Sequence, residues 1–257
     1  MPVGYLVDVQ GTLLSDVDKS PLPGACALID HLNATNTPYC VVTNNTKENS
    51  EDFLTFLRKS GLHVRHYLDP FMVLDTVITE KEVIAFGPRA FENVLTCKGY
   101  DTQAKEPKTV LIASDTAFDA TAFASMIEAA LTGARIVGMH GTSVYAKHGR
   151  KYPGVGAILA MLSYATSRET RVIGKPSPAF YETALAVLRT QKEALAWEDI
   201  CMISDDAKGD LLGAKALGME TILVLSGKCQ NEAEIAPIKE SIDAVYATVA
   251  EVLKESM

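Results

Sequence analysis

The sequence lacks any apolar run near the 18 or so residues that cross a bilayer, and Met1 to Gly11 lacks the basic start of a signal peptide. Positive charge is scarce, since 24 Lys and Arg stand against 32 Asp and Glu, a net charge of -8. The missing apolar run argues against a membrane partner, and the charge balance argues against a large nucleic-acid footprint. It leaves room for a small anion, because a local site can invert the overall sign.

Cysteines are few and do not form a recognisable metal or disulfide pattern. Their number is odd, they are widely spaced, and no C-x-x-C occurs. We therefore expect reduced thiols and a cytoplasmic protein. The cysteines are Cys26, Cys40, Cys97, Cys201 and Cys229.

Short apolar runs alternate with helix-period segments over 257 residues, of which 47% are hydrophobic. Val3–Val9 and Pro38–Thr43 read as buried strands, each followed by an amphipathic helix. The same alternation returns near the end of the chain, where a closing helix is predicted over Val245–Leu253. The pattern predicts an α/β fold with a mostly parallel sheet covered on both faces. The predicted strands of the second stretch are Arg171–Gly174, Ile200–Ser204 and Thr221–Leu225.

The middle of the chain has strands and helices of its own. Strands are predicted at Val83–Phe86, Val110–Ala113 and Arg135–Met139. These could continue one sheet or build a second domain inserted into the first, and periodicity does not decide between the two.

Four polar clusters follow four of the predicted strands. Asp8, with Gly11 behind it, suits a nucleophile or a metal ligand, and Thr43-Asn44-Asn45-Thr46 could cradle an anion. Lys175 offers a compact positive charge for a phosphate. Each cluster alone is also typical of turns, helix caps or surface positions. Their order, which is acid, hydroxyl and amide, lysine and acid, points to one site.

The fourth cluster, Ser204 to Asp210, holds three carboxylates in six residues. Asp205 and Asp210 lie five residues apart across a strand-to-helix turn, so both could face one point. Carboxylates with phosphate oxygens are the usual environment of magnesium. A solvated first turn of a helix, where acids suit the dipole, is the alternative.

The ordered set resembles the haloacid dehalogenase superfamily of phosphohydrolases, and most closely its NagD-like group, which inserts an α/β cap. The stretches 8–12, 43–45, 174–178 and 205–210 carry the likeness, together with the cap segment 149–157. The resemblance implies a Rossmann-like three-layer core with a parallel sheet over 1–72 and 171–257. It also implies an inserted cap domain over 73–170, which would choose the leaving group and is a surface for a homodimer.

The same resemblance implies roles by position. Asp8 would attack the phosphorus of a small phosphorylated metabolite and become an aspartyl phosphate, and Lys175 would offset charge on both partners. Thr43, with Asn44 and Asn45 beside it, would bind the phosphoryl group. The implied cofactor is Mg2+, and its ligands would be Asp8, the main-chain carbonyl of Gln10 and Asp205. Asp206 or Asp210 would bind the waters of the metal or Lys175. The cap candidates for contact with the leaving group are Asp115, His140, Tyr145 and Arg150.

Gln10 departs from the family pattern, which has a second Asp two residues after the nucleophile. That Asp protonates the leaving oxygen, whereas a glutamine amide does not exchange a proton near neutral pH. Weak or specialised phosphohydrolase or phosphotransferase activity is therefore expected. The alternative is a regulatory protein that binds phosphate without turning it over. A dehalogenase is disfavoured by the acids at Asp205 to Asp210.

Overall fold

The computed structural model describes residues 2–147 and 150–255. Contacts divide the chain into two compact units, one formed by 1–43, 50–68 and 181–257 and the other by 44–49 and 69–180. The strands are Gly4–Asp8 (β1), Tyr39–Val42 (β2), Tyr67–Leu68 (β3), Val83–Phe86 (β4), Thr109–Ile112 (β5), Arg135–Gly138 (β6), Val144–Lys147 (β7), Arg150–Pro153 (β8), Thr170–Val172 (β9), Ile200–Ser204 (β10), Glu220–Val224 (β11) and Ala244–Tyr246 (β12).

The α-helices are Ala25–Thr35 (α1), Ser50–Lys59 (α2), Pro70–Val77 (α3), Arg89–Cys97 (α4), Ala120–Leu131 (α5), Val155–Thr166 (α6), Pro178–Arg189 (α7), Leu212–Ala216 (α8) and Val249–Glu255 (α9). A π-helical turn, Ala207–Leu211, runs into α8, and 3-10 segments occupy Trp197–Asp199 and Glu232–Ser241. Most strands are followed by a helix along the chain, which is the pattern of an α/β protein.

The first unit is built on a six-stranded parallel sheet in the order β12-β11-β10-β1-β2-β3. Tyr5 and Val7 of β1 face a core shared with α1, α2 and α9. Leu6 points to the opposite face and is fully buried as well. Strands buried on both faces need layers of structure above and below the sheet, which explains their continuous apolar runs.

The second unit has a four-stranded parallel sheet in the order β4-β5-β6-β9 and an antiparallel hairpin, β7-β8. Its core joins the inward side chains of β5 and β6 to α5 and α6. A separate sheet with a separate core answers the question that periodicity left open. The middle of the chain does not continue the first sheet.

The predicted strand Arg171–Gly174 is placed differently by the structure. The strand is Thr170–Val172, and it belongs to the four-stranded sheet because it pairs with Ile136–Gly138 of β6. The domain boundary predicted between residues 170 and 171 therefore falls inside that sheet, and the second unit runs on to residue 180. At its other end the long segment of this unit begins at residue 69, whereas the predicted boundary was 73, and residues 44–49 belong to the unit as well.

The end of the chain also differs from the prediction of a helix over Val245–Leu253. Ala244–Tyr246 is a strand, because it pairs with Ile222–Val224 and extends the six-stranded sheet by one position. The closing helix begins only at Val249.

Candidate active site

Three of the four predicted clusters meet at one edge of the six-stranded sheet. Strands β2, β1 and β10 are parallel neighbours, and Asp8, the last residue of β1, stands opposite Val42 of β2. Thr43 follows β2 directly, and Asp205 follows β10 directly. All three of these polar residues are at least 95% buried. Ligands bind outside the carboxyl ends of strands in open α/β sheets, so this edge is the candidate active site.

Gln10 is tied to the next strand by its side chain. The Thr43 hydroxyl donates a hydrogen bond of 2.9 Å to Gln10 Oε1, and the Thr43 main-chain N–H donates to the carbonyl of Leu68. These bonds orient both side chains at the edge of the sheet. The amide oxygen of Gln10 is an acceptor here, in keeping with a group that positions its neighbours and carries no exchangeable acidic proton.

Asp205 is held by a side-chain hydroxyl of one loop and a main-chain N–H of another. Its N–H donates to Thr12 Oγ1 at 3.1 Å, and its Oδ2 accepts from the N–H of Lys228 at 2.5 Å. Gly11, whose φ is +73°, and Gly227 lie so close that a Cβ on either one would overlap the Asp205 carboxylate. The two glycines therefore let the backbone approach this side chain.

Burial, and next the negative charge of Asp8, raise the pKa of Asp205 well above its usual range. The N–H of Lys228 acts in the opposite direction but does not cancel these two effects. Two buried carboxylates side by side are a site of concentrated negative charge, which a cation would relieve.

Asp206 and Asp210 take part in a hydrogen-bond network around the π-helical turn. Asp206 Oδ1 accepts from the N–H of Gly209 at 2.8 Å and so caps the turn, while its own N–H donates to Ser204 Oγ. The Ser204 hydroxyl donates to Asp210 Oδ2 at 2.7 Å, and Asp210 is 4% exposed. One oxygen of Asp210 is thus engaged by a serine. The carbonyl of Asp210 accepts from Tyr181.

Over residues 2–147 and 150–255, no three or more acidic, His or Cys side chains are arranged to hold a metal ion. The role that the resemblance implied for Asp206 or Asp210, binding the waters of the metal or Lys175, stays a prediction. Asp8 and Asp205 place two carboxylates at this edge beside main-chain carbonyls, a donor set that suits magnesium when waters complete the shell.

Lys228 is a site residue that sequence reasoning missed. Its ammonium donates to Asp206 Oδ2 at 2.5 Å. Burial alone would lower the pKa of Lys228, but the charges of Asp206 and Asp205 outweigh burial and raise it. The signal was present in the sequence, because Ser226 to Cys229 lie just beyond the end of β11, separated from it by Leu225.

Two other residues that were not predicted are Thr12 and Ser204, both fully buried. Each uses its hydroxyl to fix an acid or the main chain of an acid, as described above. Small hydroxyl residues beside an acidic cluster are the only sequence signal for this role.

Lys175 and Asn44 lie together in the second unit. Asn44 Oδ1 accepts from the Lys175 N–H at 2.9 Å, and Asn44 Nδ2 donates to the Lys175 carbonyl at 3.3 Å. The amide of Asn44 therefore holds the main chain of Lys175 from both sides, and the lysine is 2% exposed. Lys175 follows a strand as predicted, but that strand is β9 of the four-stranded sheet.

Asn45 bonds within its own turn. Its Nδ2 donates to the carbonyl of Glu48 at 2.9 Å, and its Oδ1 accepts from the N–H of Lys47. These local bonds are those of a loop-forming asparagine. They fit a role in a turn, which was the alternative for this cluster, better than a direct bond to phosphate.

The cap candidates all lie in the second unit. His140 is buried and its Nε2 lies 3.1 Å from Ser114 Oγ, while Tyr145 stacks on Tyr152 across the β7-β8 hairpin. Burial, and next the charge of Asp115, raise the pKa of Tyr145. Arg150 is exposed, and Gly149, the first residue of the predicted cap segment, is outside the described residues.

In the part of the chain that the structure describes, no helix combines the length and the apolar character that a membrane crossing requires.

Two family models match the chain. Residues 5–101 match the model described as "Haloacid dehalogenase-like hydrolase", and residues 172–252 match a "HAD-hydrolase-like" model. The two segments hold Asp8, Thr43, Lys175 and Asp205, and the residues between them include most of the second unit.

Curated relatives match along most of the chain. A mouse protein named "Haloacid dehalogenase-like hydrolase domain-containing protein 2" is 29% identical over 87% of this chain and 84% of its own length. An "Acid sugar phosphatase" of Staphylococcus haemolyticus is 25% identical over 87% and 85%.

Solved structures show the same fold. A p-nitrophenyl phosphatase from Archaeoglobus fulgidus superposes with a TM-score of 0.82 at 23% identity, covering 98% of each chain. NagD from Escherichia coli K-12 superposes with a TM-score of 0.79 at 21% identity, also over 98% of each chain.

Proposed function

Because the chain belongs to the haloacid dehalogenase-like hydrolases, we propose that it is a NagD-like, magnesium-dependent phosphatase of small phosphorylated metabolites. The observation that supports this most strongly is the common edge of three parallel strands. Asp8, Thr43 and Asp205 are buried there side by side, in the order that phosphoryl transfer needs for a nucleophile, a phosphate contact and a cation ligand.

Asp8 is the proposed nucleophile. A carboxylate oxygen of Asp8 forms a bond to phosphorus while the bond from phosphorus to the leaving oxygen breaks, and the leaving oxygen takes that electron pair. Water then attacks phosphorus, which releases phosphate and restores the carboxylate. The hydroxyl of Thr43 contacts the phosphoryl group, and Lys175 offsets negative charge on it.

A magnesium ion fits the donors at this edge. Asp8 and Asp205 are 5% and 4% exposed, and burial, followed by the like charge of Asp8, raises the pKa of Asp205. Carboxylates and a main-chain carbonyl are hard oxygen ligands, which is the chemistry that magnesium selects. We propose that Asp8, Asp205 and the carbonyl of Gln10 hold the ion, and that Asp210 acts from behind through Ser204. When bound, magnesium would supply positive charge to the phosphoryl oxygens.

Gln10 limits the substrates that turn over well. The leaving oxygen of an alkyl phosphate is strongly basic and needs a proton, and Gln10 cannot supply one. Aryl and acyl phosphates have leaving oxygens that are stable without a proton. We therefore expect these classes to be hydrolysed at rates closest to those of a relative with Asp at this position.

The same glutamine favours a second candidate function, a regulatory protein that binds a phosphorylated metabolite without turnover. Gln10 is also unable to activate the water that attacks the aspartyl phosphate. Without an activated water, the aspartyl phosphate would persist, or the site would bind the phosphorylated metabolite without hydrolysing it.

Phosphate release from 4-nitrophenyl phosphate and from glycerol phosphate, each with magnesium, tests the proposal. We expect measurable release from the aryl ester and release from the alkyl ester lower by about 10²-fold or more, the usual size of general acid catalysis. Asp8→Asn should abolish both. Asp30→Asn, which alters an exposed partner of His63, is the matched control and should leave both rates unchanged.

Release that survives in Asp8→Asn would contradict the proposed nucleophile. The regulatory alternative predicts another result, namely a higher melting temperature with magnesium and phosphate but no release from either ester. Mass spectrometry after rapid quench adds a third readout, since an aspartyl phosphate adds one phosphoryl group to the peptide that contains Asp8.

A further inference from the structure

Lys228 contacts two acids of the site through two different groups. Its main-chain N–H donates to Asp205 Oδ2 at 2.5 Å, and its ammonium donates to Asp206 Oδ2 at 2.5 Å. The side chains of Lys228 and Asp206 are 34% and 16% exposed, so the ion pair is partly shielded from water. Shielding makes an ion pair stronger than one at an open surface.

The position of the Lys228 main chain does not depend on its side chain. Ser226 Oγ donates to the carbonyl of Gly11 at 2.7 Å, and Cys229 N–H donates to the carbonyl of Asp205 at 3.3 Å. Gly227 between them lies against the Cα of Gly11 and the carboxylate of Asp205. A substitution at residue 228 can therefore remove the charge and leave the N–H bond to Asp205 in place.

The charge that Lys228 supplies offsets a local excess of acid. Asp8 and Asp205 are buried beside each other, and Asp206 follows in sequence with its second oxygen committed to the N–H of Gly209. A buried carboxylate without a counter-charge is costly, because it has lost its hydration. The ammonium of Lys228 stabilises this arrangement when no metal is bound.

We propose that Lys228 is a built-in counter-ion of Asp205 and Asp206 that competes with magnesium for their negative charge and so weakens magnesium binding. The inference rests on the proposed magnesium-dependent function and adds a positioning residue that sets metal affinity. An ammonium and a dication that share neighbouring carboxylates repel each other. At the separations of one shared site the repulsion corresponds to roughly a tenfold change in affinity.

The test is magnesium binding without substrate, measured by calorimetry and by the melting temperature of the full chain. Lys228→Met removes the charge and keeps the apolar stem. It should bind magnesium about tenfold more tightly, and without metal it should melt about 2–4 °C lower. Lys228→Gln, a second neutral variant, should behave alike, and Lys228→Arg should restore the affinity of the unaltered chain.

Lys215→Met is the matched control, because Lys215 pairs with Asp243 at the same distance of 2.5 Å and the two lysines are similarly exposed. The control pair lies away from the proposed magnesium site. Asp243 accepts from the N–H of Thr221, near the start of β11, whereas Asp205 follows the end of β10. The control should lose a little stability and keep its magnesium affinity.

Unchanged or weaker magnesium binding by folded Lys228→Met or Lys228→Gln would overturn the inference, as would absence of magnesium binding to the unaltered chain and to both neutral variants. Phosphate release is measured separately. Tighter magnesium binding by the neutral variants in a chain that releases no phosphate would contradict the proposed function and leave this inference standing.

Discussion

At the scale of single residues, one side chain separates this site from the pattern that it resembles. Gln10 keeps a main-chain carbonyl that any residue has, and its side chain accepts a hydrogen bond from Thr43. A carboxylate at residue 10 could accept the same bond and could also exchange a proton. We therefore propose that this side chain decides between binding a phosphate and hydrolysing an alkyl phosphate.

Gln10→Asp should raise turnover of glycerol phosphate by about 10²-fold or more, because it supplies the missing proton donor and water activator. The measurement is kcat for phosphate release with magnesium. Gln10→Asn is the matched control, since it shortens the side chain as Asp does and keeps the amide. Equal turnover in the Asp and Asn variants would show that residue 10 does not limit the reaction.

At the scale of secondary-structure elements, one carboxylate ties together three pieces of the second unit. Asp75 of α3 accepts from the ammonium groups of Lys81 at 2.6 Å and Lys98 at 3.0 Å and from the hydroxyl of Tyr100 at 2.9 Å. Burial acts to raise the pKa of Asp75, but these three bonds outweigh it and lower the pKa to about 2.

Asp75→Asn should lower the free energy of unfolding by about 1 kcal/mol at pH 7, a modest value because the pair is half exposed. The folded pKa lies below the unfolded value of about 3.9, so the contribution is present above that pH. It is lost as the pH falls toward about 2. Urea unfolding between pH 7 and pH 3 measures the difference in the free energy of unfolding between Asp75→Asn and the unaltered chain. This difference should narrow below about pH 4.

Asp101→Asn is the control for this series. Asp101 is exposed in the same unit and accepts from the N–H of Gln103, a bond that asparagine can keep. The role of the ionised carboxylate would be contradicted if the difference in the free energy of unfolding between Asp75→Asn and the unaltered chain stayed constant down to pH 3.

At the scale of the whole molecule, the five thiols report on packing. All five are free, and none forms a disulfide. Cys40 and Cys201 are fully buried in the six-stranded sheet, whereas Cys97 is exposed at the end of α4. Burial raises the pKa of both buried thiols, so the reactive thiolate is scarce there.

Iodoacetamide should alkylate Cys97 in the native protein within the time of a short labelling reaction, while Cys40 and Cys201 should react only in denaturant. Peptide mass spectrometry measures the three sites separately. Both buried thiols lie in the first unit, so as the urea concentration increases the labelling of both should begin at the same concentration. Cys97→Ser should abolish most native labelling. Native labelling of Cys201 at the rate of Cys97 would contradict the packing of β10.

Much of the site could be predicted, because strand ends can be read from local pattern. Asp8, Thr43 and Asp205 each follow a short β-branched run, and parallel strands bring such positions to one edge. Lys228 obeys the same rule and was missed, since a single lysine after a strand is common. The engagement of Asp210 by Ser204 could not be predicted, because it depends on the path of the π-helical turn.

The sequence by itself determined the α/β class, the parallel sheets and the order of the polar clusters, because these follow from periodicity and from short-range chemistry. Only the tertiary structure decided which sheet each strand joins. Thr170–Val172 and Ala244–Tyr246 are short segments whose pairing partners, β6 and β11, lie more than 15 residues away along the chain. Such pairings are selected by long-range hydrogen bonding and burial, which local pattern does not encode.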